Sequence, residues 1–410
     1  MDFWTFIYLF YSFVGFYYLI LFVLIYFQNK KQIYESPETK KEHSLSIVVP
    51  CYNEQGSIGK TIETLINSDY KGLKKVVVVD DRSTDDSFNI MKQYQEKYPK
   101  KVLAVQTPKN TGCAGGAKNY GAKFVDTELI GFTDADSYPE KGAIRKMIGC
   151  FDDPETGAVT SRVLVYNRKK FLARLQSIEY KIIAFTRKLL GFVDAIYVTN
   201  GPLSIYRKKG FDELGGFDLS NMTEDIEITW HFVAAGYKVH MSIPSKVYTV
   251  VPDNFKAWLK QRTRWNIGGI QTILKYKKSF FRCGMLGYFI LPFFITAWLL
   301  GITGLGILSY RLSEFFLARY LTAKQSLEAE VALITFNEFQ LAPNILLFFG
   351  ILLFLLSLAY NILALTYSRE EDYKRNTVFE FTIYLCFYLL VYPIVLIRSL
   401  YKFIQGRYAW

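Results

Sequence analysis

Lys75-Val76-Val77-Val78-Val79-Asp80 is the stretch whose reading decides the fold. Four consecutive valines without polar alternation describe a strand buried on both faces, as in parallel sheets. Leu45-Ser46-Ile47-Val48-Val49-Pro50 upstream has the same texture, and both runs end in polar loops. Between them, Ile58 to Asn67 has helical spacing. After them, Ser83 to Tyr98 opens with Ser-Thr-Asp-Asp, an N-cap signal before an amphipathic helix. A third strand at Val102-Leu103-Ala104-Val105, a helix near Gly115 to Phe124 and a strand at Leu129-Ile130-Gly131-Phe132 continue the rhythm. The pattern predicts a doubly wound α/β domain, which binds ligands outside the carboxyl ends of its strands. Asp80, Asp81, Asp134 and Asp136 fall at those ends.

Outward from this domain, the chain turns apolar at both ends. Phe3 to Phe27 is an uninterrupted hydrophobic run, long enough to cross a hydrocarbon core of about 30 Å. Lys30 and Lys31 follow it and no basic residue precedes it, so it reads as a transmembrane helix with its N-terminus outside, not as a signal peptide. After Trp265, Leu286 to Leu308 and Asn344 to Tyr367 each read as a span. Thr377 to Ile404 is interrupted at Tyr392-Pro393 and ends among Arg398, Lys402 and Arg407. It is expected to bend along the interface or re-enter, leaving the C-terminus cytoplasmic. The expected division is a transmembrane helix at 1–28, a linker at 29–44, the α/β domain at 45–262, an interfacial helix at 263–284 and a membrane region of two or three spans at 285–410.

Of the 410 residues, 51% are hydrophobic, which excludes a disordered or collagen-like chain. The five cysteines are scattered, without CxxC or Cys/His spacing, and support neither a disulfide framework nor a zinc site. The net charge of +12 suits a cytoplasmic lipid surface and an anionic substrate. A nucleic-acid partner is not expected, because that needs a basic face interleaved with aromatics on a soluble surface.

Three short motifs can carry chemistry. Thr133-Asp134-Ala135-Asp136 sets two carboxylates at the end of an apolar strand, where they can share a hard divalent cation that bridges diphosphate oxygens. They can equally be turn formers. Thr223-Glu224-Asp225 begins a helical segment, so its acids can cap that helix or accept a proton from an attacking hydroxyl. Gln261-Arg262-Thr263-Arg264-Trp265 offers a guanidinium fork for a diphosphate and a flat ring for a sugar, or an aromatic-basic anchor at the membrane interface.

In this order, the acidic strand end, the DxD, the TED and the QxxRW resemble family 2 glycosyltransferases of the processive, membrane-embedded kind. Length and layout look closest to bacterial poly-β-1,6-N-acetylglucosamine synthases, with hyaluronan and cellulose synthases as relatives. The resemblance implies an α/β GT-A fold with a Rossmann-like, mostly parallel sheet, cytoplasmic and joined to transmembrane and interfacial helices. It implies inverting transfer from a UDP-sugar, UDP-N-acetylglucosamine first among candidates, onto a growing exported polysaccharide at the plasma membrane.

Residue by residue, the resemblance puts Glu54, in Val49-Pro50-Cys51-Tyr52-Asn53-Glu54, on the nucleoside and Asp80 on the base. Asp134 would contact the donor and Asp136 would hold Mg²⁺ or Mn²⁺. Asp225 would be the general base, with Glu224 beside it in the catalytic group, and Arg264 would stabilise the departing charge. Trp265 would stack on the acceptor sugar at the mouth of a polymer channel, with Gln261 alongside. Asn200 to Arg207 resembles a loop near the acceptor, and Phe211 to Asp218 the turn before the TED helix. The tail Gln405 to Trp410 resembles a gating segment. One departure stands out: Asn110-Thr111-Gly112-Cys113 has cysteine where many members place a lysine, leaving Lys118 to supply the positive charge near the donor. Membrane lipid and an export or accessory subunit are the further partners expected. The competing readings are a non-processive transferase adding a single sugar to a lipid acceptor, and an inactive membrane scaffold.

Overall fold

The computed structural model describes residues 3–329, 345–367 and 378–407. The valine run lies in β2 (Leu73–Asp80), paired in parallel with β1 (Leu45–Cys51) and β3 (Val102–Gln106); β4 (Leu129–Phe132) pairs in parallel with β1 on its other side. Helices α2 (Ile58–Ile66), α3 (Ser87–Lys97) and α4 (Ala114–Ala122) make the connections. Alternate valines serve opposite faces. Val76 and Val78 pack with Ile58, Ile62, Leu65 and Met91, whereas Val77 and Val79 pack with Ala117, Phe132 and Tyr206. That two-sided burial is why the run shows no polar alternation.

The second half of the domain departs from the doubly wound pattern. It contains β5 (Ser137–Pro139), α5 (Arg145–Ile148), β6 (Thr156–Val165), α6 (Phe171–Gly191), β7 (Ser204–Arg207), α7 (Lys208–Glu213), α8 (Glu224–Ala234) and β8 (Lys238–Thr249). The eight strands form one sheet in the order β3-β2-β1-β4-β7-β6-β8-β5. β7 runs antiparallel to both β4 and β6, and β5 to β8, while the other pairs are parallel, so the sheet is mixed and, as expected, mostly parallel. The reversal has a consequence for function. Phe132 at the end of β4 pairs with Ser204 at the start of β7, which brings the Asn200–Pro202 loop beside the DxD.

A single helix, α9 (Phe255–Tyr276), runs across the boundary expected at 262/263 and carries the whole QxxRW motif. Beyond it lie α10 (Leu291–Glu328), α11 (Ile345–Thr366), α12 (Val378–Ile383) and α13 (Leu389–Ile404), with α1 (Phe3–Asn29) at the other end of the chain. Among the described residues, four helical stretches, Thr5–Asn29, Leu286–Glu328, Leu347–Thr366 and Val378–Ile404, are long and apolar enough to cross a membrane. The helix extends through Tyr310 and on to Glu328, a region whose mixed polarity gives no periodic signal.

Pro393 lies inside α13 and does not end it. A π-helical turn at Tyr384–Tyr388 precedes it, the kind of local adjustment that lets an apolar helix accommodate proline. The interruption expected at Tyr392-Pro393 is therefore absent, and Val378–Ile404 follows a helical path throughout. The stretch 30–44, within the linker expected at 29–44, has no helix or strand and is held against the domain. Ile33 and His43 are fully buried, and the two His43 ring nitrogens lie 2.9 Å from Glu128 and from Asp152. Of the expected gating tail, Gln405 to Arg407 close the last helix and 408–410 lie outside the described residues.

Candidate active site

The carboxyl edge of the parallel strands opens into a cavity of about 710 Å³, large enough for a nucleotide-sized ligand. Two of the loops that form its rim hold strained backbone. Asn53 and Arg82, just beyond β1 and β2, have positive φ values of 56° and 65°, which non-glycine residues seldom adopt. Side chains lace these loops together: Asn53 Oδ1 accepts from the Thr84 amide at 2.8 Å, and the Asn53 amide donates to Ser83 Oγ at 3.0 Å. Glu54 lines the cavity.

The two acids after β2 divide their work differently from the expectation. Asp80 is fully buried and does not line the cavity; its carboxylate accepts from the Ser83 amide and from Gln106 Nε2 at 2.8 Å. Asp81 reaches the cavity wall instead, accepting from Thr107 Oγ1 and Thr111 Oγ1, both at 2.8 Å. The correction follows from strand geometry, since successive side chains at a strand end point to opposite sides. Asp80 is committed to bonds within the loops, and Asp81 is the acid that lines the cavity.

Asp134 and Asp136 both line the cavity. The neighbouring loop approaches Asp134 so closely that a Cβ on Gly201 would lie 2.5 Å from Asp134 Oδ2 and push that carboxylate aside. Thr133 Oγ1 donates to the Pro202 carbonyl and pins the two segments together. Burial, then the carboxylates of Asp134 and Glu54, push Asp136 up to about 7. Such crowding of acids fits a divalent cation, whose charge would relieve it. Among the described residues no group of three or more His, Cys, Asp or Glu side chains forms a ready cation site. An ion held at Asp136 and Asp134 would therefore complete its shell with ligands from outside the chain, such as diphosphate oxygens.

Across the cavity, α8 begins at Glu224 with Thr223 in the N-cap position. Its first turn is clamped by α9, whose Gly268 approaches so closely that a Cβ there would overlap Thr223 Oγ1. Glu224 Oε1 accepts from Lys118 Nζ at 2.9 Å, and Asp134 Oδ1 lies 3.6 Å from the same ammonium. Burial alone would depress the Lys118 ammonium, but the carboxylates of Glu224 and Asp134 outweigh it and hold it above the ordinary lysine value. Lys118 is thus a buried bridge between the DxD and the TED. Glu224 would be raised by burial, yet Lys118 and then Arg264 hold it below the usual carboxylate range. Burial and the Glu224 charge push Asp225 up to about 6, against the pull of Lys118 and Arg264. One acid of the pair is thus held toward its ionised form, while the other is shifted toward neutrality.

Gln261, Arg264 and Trp265 of α9 line the same cavity, and Arg264 Nη1 donates to the Met222 carbonyl at 3.1 Å. Arg262, between them in sequence, does not line it. Its Nη2 donates to Glu179 Oε2 at 2.7 Å in a fully buried pair, and its guanidinium lies 4.0 Å from the centre of the Trp265 ring. Tyr388 OH donates to Glu179 at 2.6 Å and accepts from Trp258 Nε1 at 2.8 Å; Tyr392 OH donates to the other Glu179 oxygen. The last helix thereby fixes the back of the QxxRW helix. Cys113 also lines the cavity, but burial pushes its thiol up, away from nucleophilic use.

Sequence reasoning missed Glu179 and Arg187. Both lie on α6, which reads as an ordinary amphipathic helix, and no local motif marks either. The only available signals were charged residues on its otherwise apolar faces.

The family model described as "Glycosyltransferase like family 2" matches residues 43–268. The chain is 26% identical over 287 residues to a poly-beta-1,6-N-acetyl-D-glucosamine synthase of Staphylococcus epidermidis, covering 68% of this chain and 69% of that protein. It is 25% identical over 281 residues to the synthase of the same name from Staphylococcus aureus (strain MSSA476), covering 67% of each. Among solved structures, a mannosyltransferase from Pyrobaculum calidifontis in complex with GDP-Man and Mn²⁺ superposes with a TM-score of 0.62, covering 97% of this chain and 99% of that one. At 18% identity that likeness carries the fold alone, and the fold is GT-A.

Proposed function

The chain belongs to glycosyltransferase family 2, and from that premise we propose that it is an inverting, processive β-glycosyltransferase that polymerises a UDP-sugar. UDP-N-acetylglucosamine is the first candidate donor, supported by the names of the relatives. The observation that carries the reading is convergence: Glu54, Asp134, Asp136, Asp225, Arg264 and Trp265, separate in sequence, line one cavity.

In this proposal, Glu54 and Asp81 face the nucleoside, and Asp134 faces the donor. Mg²⁺ or Mn²⁺ held by Asp136 would neutralise diphosphate charge. Asp225 takes the proton of the acceptor hydroxyl as that oxygen bonds to the anomeric carbon. The bond from this carbon to the UDP oxygen breaks on the opposite face, so the configuration inverts without a glycosyl-enzyme intermediate. Arg264 is the fixed cation toward the leaving diphosphate, acting where charge develops. Lys118 acts through Glu224 and Asp134, and so is a positioning residue. Trp265 and Gln261 receive the acceptor sugar. Gln261 Oε1, buried without a hydrogen-bond partner among the described residues, is an acceptor waiting for a hydroxyl.

The site faces the cytoplasm of a multi-pass plasma-membrane protein, consistent with the four candidate spans and the basic charge of the chain. The catalytic unit then runs from 45 into α9, whose Gln261, Arg264 and Trp265 line the cavity, and the rest of α9 is the interfacial arm. UDP release by the solubilised protein with Mn²⁺ or Mg²⁺ and a panel of UDP-sugars tests the reading. A long product from one donor is expected. A single-sugar lipid product would replace polymerisation by single transfer, and no release with any donor would contradict the enzyme reading.

A further inference from the structure

The inner end of the cavity holds a cation that the proposed transfer does not use. Arg187 is 6% exposed, lines the cavity, and has no carboxylate within ion-pair distance among the described residues. Its Nε has no hydrogen-bond partner, and its guanidinium lies over the Tyr197 ring at 5.7 Å. Buried arginines are ordinarily paired, because a desolvated charge without a counter-charge is costly. A cation aimed into a cavity in this state calls for an anion from outside the chain.

The direction of α6 says where that anion comes from. Tyr180, Ile183, Ala184 and Arg187 recur at helical spacing and line the cavity as one face. Tyr180 lies near the DxD, close enough for the Asp136 charge to act on its phenol. Arg187 is seven residues on, about 10 Å further along the axis. There α6 meets the candidate spans. Phe185 packs on Tyr26 and Tyr360, the Thr186 hydroxyl is 2.8 Å from that of Tyr360, and Tyr197 stacks edge-on with Phe294 at 4.8 Å. Tyr26 is near the end of α1, Phe294 near the start of α10 and Tyr360 near the end of α11. Arg187 therefore sits where the cavity meets the ends of three membrane helices, with Ile183 and Ala184 as its apolar surroundings.

We propose that this end of the cavity is a binding site for the phosphate of a membrane lipid, with Arg187 as its cation. The inference rests on the transferase reading only in naming this the acceptor end; the site itself is defined by Arg187, the apolar α6 face and the adjoining membrane helices. A lipid held here presents its head group toward Gln261 and Trp265, where the first acceptor of a new chain would lie.

The test is retention of lipid by the full-length protein in detergent, offered diacylglycerol, which lacks the phosphate, and phosphatidic acid in equal amounts, with bound lipid counted by mass spectrometry. Wild type is expected to favour phosphatidic acid about tenfold, the scale of one charge-assisted hydrogen-bonded contact. Arg187→Gln should abolish the preference and Arg187→Lys should keep most of it, with melting temperature and UDP affinity unchanged in both. Equal retention of the two lipids by wild type, or an undiminished preference in Arg187→Gln, overturns the proposal. A matching loss of UDP affinity in Arg187→Gln assigns the cation to the donor diphosphate and also overturns it. If inorganic phosphate removes the preference at concentrations below those of the lipid, the ligand is a soluble phosphate and the membrane source is wrong. Failure of the transferase reading would instead appear as absent UDP release, with lipid preference intact.

Discussion

The two faces of α9 do opposite work with similar residues. Arg264 and Trp265 look into the cavity beside Asp225, whereas Arg262 and Trp258 are sealed among Glu179, Tyr388 and Tyr392. One arginine faces the cavity, where the proposed transfer would develop charge; the other is consumed by a permanent counter-charge. The comparison teaches that a motif such as QxxRW is two structures interleaved at helical spacing. Its cavity face is held in place by a buried polar face anchored to the last helix.

The largest expected break in this comparison lies on the cavity side. Asp225→Asn should lower kcat for UDP release by about 10²- to 10⁴-fold, the usual contribution of a general base, with melting temperature unchanged. Arg262→Ala should do the reverse. It strands the Glu179 carboxylate in the interior and costs about 3–5 kcal/mol of stability by chemical denaturation, with activity lost through unfolding. Arg264→Ala should leave stability within about 0.5 kcal/mol and lower kcat about 10²-fold, as for removal of a fixed transition-state donor. Tyr388→Phe sharpens the contrast at smaller scale. It removes one of the hydrogen bonds to Glu179 and leaves Trp258 Nε1 unpartnered, costing about 1–3 kcal/mol while KM for the donor holds steady.

Legibility followed the same division. The donor side was readable because its parts are contiguous: a valine strand ends in acids, an apolar strand ends in a DxD, and a helix starts on a TED. The finer assignment of Asp81 over Asp80 was not readable, because it depends on which side of the β2 terminus faces the cavity. The anchoring side was illegible for a different reason. Glu179 is paired with Arg262 83 positions away and with Tyr388 209 positions away, and no local pattern encodes such a meeting. The same holds for Lys118, whose lysine was visible but whose partner Glu224 lies 106 residues on. Antiparallel β7 was hidden because a short buried strand carries no mark of its direction, and Pro393 misled because the π-turn that accommodates it has no simple signature.

The most direct test of the central claim, that Asp225 is the base of a site closed by the cavity face of α9, is the pH dependence of kcat for UDP release. Asp225 is pushed up to about 6, and as the proposed base it would work only when unprotonated. Activity is therefore predicted to rise with pH through about 6 and level off above it, and in Lys118→Met, which removes a cation that lowers this value, the rise should move to higher pH. A wild-type profile flat from pH 5 to 8, or a rise unmoved in Lys118→Met while the protein stays folded, would contradict the account.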